Sequence, residues 1–194
     1  MADFRKMEGL VYKQFDRDTH LFDQYTHRVP VMSVYVGVDF GFTNPTAIIR
    51  IEHDIDNHFW VTTEWYKREK LMPEIIEQAK IMKGNAYYPD PAEPDRIEEM
   101  RRAGINIHDV SKDLEAGIGT VQSLFKQNRL HIHKDCENLI SELETYRYAE
   151  ARPELNLPEE PVKENDHGLD ALRYVLHMVA SNVPVYDGES LAIH

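Results

Sequence analysis

The feature that most constrains the fold is a change of hydrophobic period near residue 70. Val34-Tyr35-Val36-Gly37-Val38-Asp39 is a short β-branched run ending in an acid, the pattern of a buried strand. Thr46–Ile51 and Phe59–Trp65 alternate as second and third strands, joined by the turn-rich Asp54-Ile55-Asp56-Asn57. Strands this closely spaced predict an antiparallel meander. Beyond residue 70 the spacing turns helical. Pro73 suits a first turn, Ile75, Ile76, Ala79 and Met82 mark one face, and Gly84 ends the run. Strands and helices then alternate. Strands are predicted at Ala86–Pro89, Ile105–Val110 and Leu130–Ile132. Helices are predicted at Pro94–Ala103, from about Gly117 to Lys126, at Cys136–Tyr146 and from Asp166 to about Ala180. Three strands followed by this alternation is a mixed α/β pattern, with one sheet and helices on its faces.

Length and composition set the organisation around that pattern. A chain of 194 residues, 42% hydrophobic and 29% charged, suits one soluble globular domain. Residues 1–30 are polar and irregular around Gly9-Leu10-Val11-Tyr12 and are expected to form a linker or N-terminal arm. Residues 31–182 are expected to hold the folded domain, and 183–194 a C-terminal tail. Residues 150–165, rich in Pro and Glu, are expected to be an exposed hairpin or loop. No apolar stretch approaches the ~20 residues needed to span a bilayer. The single cysteine, Cys136, excludes an internal disulfide and suggests a reducing compartment. His131 and His133, with Cys136 nearby, fall short of a zinc-ligand set.

The acids that carry chemistry lie at the ends of apolar elements. Asp39 closes the first strand, and Asp90 closes the strand Ala86–Pro89. Asp166 and Asp170 open the last helix as i,i+4 neighbours on one face, while Leu169, Leu172, Leu176 and Val179 form a stripe that docks it. Strand ends in an α/β sheet point to a common rim where ligands bind. Clustered carboxylates repel unless cations neutralise them, and hard divalent ions prefer their oxygens. Asp166 also suits a helix N-cap, and Asp90, between two prolines, also suits a turn.

Three segments carry a family resemblance. Val36-Gly37-Val38-Asp39-Phe40-Gly41, Pro89-Asp90-Pro91-Ala92-Glu93-Pro94 and Asp166-His167-Gly168-Leu169-Asp170-Ala171-Leu172-Arg173-Tyr174 resemble, in order, the acidic motifs of bacteriophage large-terminase nuclease domains. Lys112 with Gly117-Ile118, and the stretch Leu139–Tyr146, resemble that family too. The resemblance covers roughly residues 34–180. It implies a ribonuclease H-like fold with a mixed central sheet and helices on both faces. It also implies a nuclease that cuts double-stranded DNA concatemers during genome packaging, using two Mg²⁺ or Mn²⁺ ions. Asp39, Asp90 and Asp170 would be the core metal ligands and catalytic residues, with Asp39 bridging the ions. Asp166 and His167 would flank the second metal, and His167 would be a catalytic proton shuttle. Lys112 would contact a phosphate. The implied partners are the portal protein, the small terminase subunit and an ATPase domain of the same full-length protein, in the host cytoplasm.

Rival readings remain. The stretch Gly37–Asn44 also resembles the phosphate-binding turn of actin-like ATPases, but those need two such lobes. A junction resolvase, or a non-catalytic portal-docking module, would also fit parts of the pattern. No Gly-x-x-x-x-Gly-Lys-Ser/Thr loop is present, so the motor ATPase is expected outside this chain, an excised or separately expressed nuclease domain. The net charge of −12 opposes DNA binding by charge alone, so weak intrinsic binding assisted by metal is expected.

Overall fold

The structure, a computed structural model, describes residues 9–23, 29–149 and 160–180. The described elements run α1 (Arg17–His20), β1 (Leu21–Phe22), β2 (Val31–Asp39), β3 (Thr46–Asp54), β4 (Phe59–Lys67), α2 (Met72–Ile81), β5 (Ala86–Pro89), α3 (Pro94–Arg102), α4 (Leu114–Lys126), β6 (Leu130–His133), α5 (Glu137–Thr145) and α6 (His167–Ala180). They build one six-stranded mixed sheet in the order β1-β6-β4-β3-β2-β5. This is the ribonuclease H-like α/β architecture that the sequence resemblance implies.

The predicted meander is present. β2 pairs antiparallel with β3, and β3 with β4, while β5 lies parallel to β2 at the edge. Because strand side chains alternate between faces, the sheet divides its apolar residues between two cores. Val36, Val38 and Ile48 pack with Ile75, Ala79 and Met100 from α2 and α3. Ala47, Ile49 and Ile51 pack on the other face with residues of α4, α5 and α6, among them Val121, Leu139 and Leu172. Helices cover both faces.

Two expectations change. The expected strand at 105–110 is only a bridge between Ile107 and Tyr87, with Tyr87 N–H donating to Asn106 and His108 N–H to Tyr87. The next ladder donor on β5 would be Pro89, which has no N–H, so pairing stops there. Residues 9–22, expected within a connecting arm, are built into the domain. Val11 and Tyr12 are fully buried, the Val11 amide donates to Tyr146 O at 3.0 Å, and β1 adds a parallel edge to β6. Residues 183–194 and most of the acidic loop lie outside the described residues.

Candidate metal centre

The site begins with two neighbouring strand ends. β2 and β5 run parallel with Val38 opposite Pro89, and the Asp90 amide donates to Val38 O at 2.8 Å. Asp39 and Asp90 therefore emerge side by side from the same end of the sheet. Asp90 Oδ1 accepts the Ala92 amide at 2.8 Å, closing the turn into α3.

The last helix reaches Asp39 because of a glycine. A Cβ on Gly37 would stand 1.9 Å from Ala171 O, so only a bare Cα lets α6 lie this close to β2. The approach brings the first turns of α6 over the strand end. His167 Nδ1 is 2.8 Å from Asp39 Oδ2, and Asp170 Oδ1 is 2.7 Å from Arg173 Nη2. Asp166 immediately precedes the helix, after Asn165 at φ 51°.

Glu142 of α5 secures the start of α6. It is buried, accepts the Tyr66 hydroxyl at 2.6 Å and the Leu169 amide at 2.9 Å, and so satisfies an orphan donor of the first helical turn. Its own acidity yields: burial pushes its pKa up to about 7.

Charge in the site is set against burial. Desolvation raises the pKa of Asp39, partly offset by the His167 hydrogen bond, and the Asp90 and Asp166 charges raise it further. Burial carries Asp170 up to about 7, against the pull of Arg173. The Asp39 hydrogen bond raises His167 in turn.

Asp39, Asp166, His167 and Asp170 line an open cleft of about 700 Å³, with Glu93 and Glu164 also in its wall. Its cations are Arg68, Arg96 and Lys163, and Phe42, 48% exposed, stands at its mouth. The Glu69 amide donates to Phe42 O at 2.9 Å, fixing that loop beside Arg68.

Four of the expected residues thus meet in the cleft, with Asp90 beside Asp39 but not in the cleft wall. Lys112 is not brought there. It is exposed on the loop before α4, next to Ser111, whose amide reaches Met178 Sδ at 3.4 Å. Met178 lies about 12 Å along the helix axis from Asp170, at 1.5 Å per residue. Sequence patterns assign no site role to Glu142, Arg173 or the cleft cations. Arg173 carries one usable signal, its i,i+3 spacing from Asp170.

Among the described residues, no three His, Cys, Asp or Glu side chains form a closed metal cage as they stand. Asp39 is engaged by His167 and Asp170 by Arg173. The donor chemistry nevertheless fits a hard divalent ion: carboxylates dominate, no thiolate lines the cleft, and the buried Asp170 Oδ1 meets Arg173 without regular hydrogen-bond alignment.

Residues 39–178 match the family model for the terminase RNase H-like domain. A terminase large subunit of Escherichia phage T5 is 24% identical over 194 residues, covering 92% of this chain and 44% of that protein. The chain therefore spans less than half of that relative's length. Among solved structures, the large terminase of a thermophilic bacteriophage superposes with a TM-score of 0.79 at 24% identity, over 89% of this chain and 45% of that one. The P22 large terminase nuclease domain superposes with a TM-score of 0.75 at 21% identity, over 88% and 92%. The SPP1 large terminase nuclease domain, solved with bound Mn, has a TM-score of 0.62 at 18% identity, over 79% and 92%. With the motif acids gathered at one end of a sheet of this topology, the chain belongs to the terminase RNase H-like domain family.

Proposed function

We propose that the domain is a divalent-metal-dependent endonuclease that cuts double-stranded DNA concatemers during viral genome packaging. The observation that carries this reading is the convergence of Asp39 and Asp90, on parallel strand ends, with Asp170 on a helix docked at Gly37. Asp39, Asp90 and Asp170 would hold two Mg²⁺ or Mn²⁺ ions, with Asp166 flanking. When bound, such ions supply a nucleophilic water and stabilise the leaving oxygen of a phosphodiester. Manganese in the SPP1 relative supports the choice of ion class.

The chain's own residues do the rest. His167 steadies Asp39 through Nδ1, and its other ring nitrogen would accept or return a proton. The phosphate contact expected of Lys112 passes to Arg68, Arg96 and Lys163, which line the cleft. Arg96 is held by Glu93 at 3.4 Å and lies over the Phe40 ring at 5.5 Å. An ATPase domain in the remainder of the full-length protein would keep DNA at high local concentration, so an acidic domain needs little grip of its own. The large terminase of the thermophilic bacteriophage, also solved with ADP, is consistent with that division. Portal protein and small terminase subunit would complete the assembly in the host cytoplasm.

The test is incubation of the purified domain with supercoiled plasmid in Mn²⁺ and in chelator. Nicking and linearisation in Mn²⁺ alone are expected. Preference for four-way junctions over duplex would favour a resolvase, and no cleavage under any divalent ion would favour a docking module.

A further inference from the structure

We propose that Arg173 is a resident counter-cation of the metal centre, holding Asp170 in place until a divalent ion takes over its charge balance. The inference rests on the metal-centre reading above. Arg173 follows Asp170 by one turn of α6 and is 8% exposed, with Nη2 2.7 Å from Asp170 Oδ1. Its place is built by other elements. A Cβ on Gly117 of α4 would stand 2.6 Å from both Cγ and Cδ of Arg173, so the glycine makes the slot in which the side chain lies. Tyr12 and Tyr146, stacked at 6.1 Å, bring their phenols within the field of the guanidinium. The segment at 9–22 thereby helps to close the back of the site.

The pair is close but incomplete. Asp170 Oδ1 lies 2.7 Å from Arg173 Nη2 without regular hydrogen-bond alignment, and Arg173 Nη1 is buried with no aligned acceptor among the described residues. A buried ion pair that serves stability alone needs its remaining donors and acceptors satisfied. Here the carboxylate of a cleft-lining residue meets its partner out of line, so an incoming cation can improve on that contact. Asp39 has a protein partner as well, His167 at 2.8 Å, so each of these two carboxylates is met by a side chain of α6.

A plain packing role and a counter-cation role differ in how they respond to metal. Melting temperatures of wild type, Arg173→Met and Arg173→Lys would be read in chelator and in saturating Mn²⁺. In chelator, Arg173→Met is expected to melt on the order of 5–10 °C below wild type, because a buried carboxylate loses its partner. Mn²⁺ should close most of that gap, and Arg173→Lys should keep most of the chelator stability. An Arg173→Met deficit that is equal in chelator and Mn²⁺ overturns the proposal. If Arg173→Met only aggregates, Arg173→Lys carries the test: parity with wild type, or a deficit narrowed by Mn²⁺, supports it, and a deficit unchanged by Mn²⁺ overturns it. A wild-type melting temperature indifferent to Mn²⁺ refutes the metal-centre reading as well, whereas a wild-type shift beside an unchanged variant gap removes the Arg173 inference alone.

Discussion

At the scale of single side chains, two acids of the cleft are each held by another side chain of the protein. Asp39 is 6% exposed and shares a 2.8 Å contact with His167, while Asp170 leans on Arg173. Asp39→Asn, Asp90→Asn and Asp170→Asn are each expected to lower plasmid cleavage beyond about a hundredfold, since even outer-shell losses cost ~10–100-fold in metal affinity. Circular dichroism should show the fold retained; full activity in any one of them removes that residue from the centre. His167→Ala separates two roles. A proton-transfer role predicts a loss of about 10² in rate and a flattened pH–rate limb, because general acid–base groups contribute ~10²–10⁴. A rate within about twofold of wild type would assign His167 to packing.

At the scale of elements, the site depends on how tightly α6 lies on β2. Gly37→Ala places a methyl group far inside contact distance of Ala171 O, so helix or strand must move. A loss on the order of 3 kcal/mol in denaturant unfolding is expected, together with loss of cleavage. Unchanged stability would mean that the helix sits farther from the strand. Elements with strong periodicity are legible in the sequence: the three meander strands, α2 and α6 all carry their pattern in successive apolar positions. The N-terminal segment is not, because Val11-Tyr12 is an apolar island too short to show a period, and β1 has only two residues. The acids at element ends are legible because strand and helix boundaries place them. That Lys112 lies outside the cleft wall is not legible, because a loop position carries no period to locate it. Arg173 looks like one more charge on a helix, since its burial depends on Gly117 and Tyr12 far away in sequence.

At the scale of the whole molecule, three groups at the start of α6 and its neighbour α5 retain protons that the unfolded chain releases. Glu142 and Asp170 are both raised by burial from the ordinary carboxylate range to about 7, and His167 is raised by its bond to Asp39. In each case the folded value exceeds the unfolded one, so the native state binds more protons across that interval. Stability in chelator should therefore fall as pH rises through about 7. With Mn²⁺ the trend should weaken or reverse, because the ion competes with the same protons. Melting curves at several pH values, with and without Mn²⁺, check both signs; a chelator melting temperature that climbs from pH 6 to 8 would contradict the burial of these groups. The claim on which the account turns is that Asp39, Asp90 and Asp170 form one metal centre. An anomalous difference map from crystals of the domain soaked in Mn²⁺ tests it most directly. The account predicts manganese in the cleft, bound by those three carboxylates, with Asp170 turned from Arg173 toward the ion. Manganese bound elsewhere, with the Asp39 and Asp170 carboxylates still engaged only by His167 and Arg173, would contradict it.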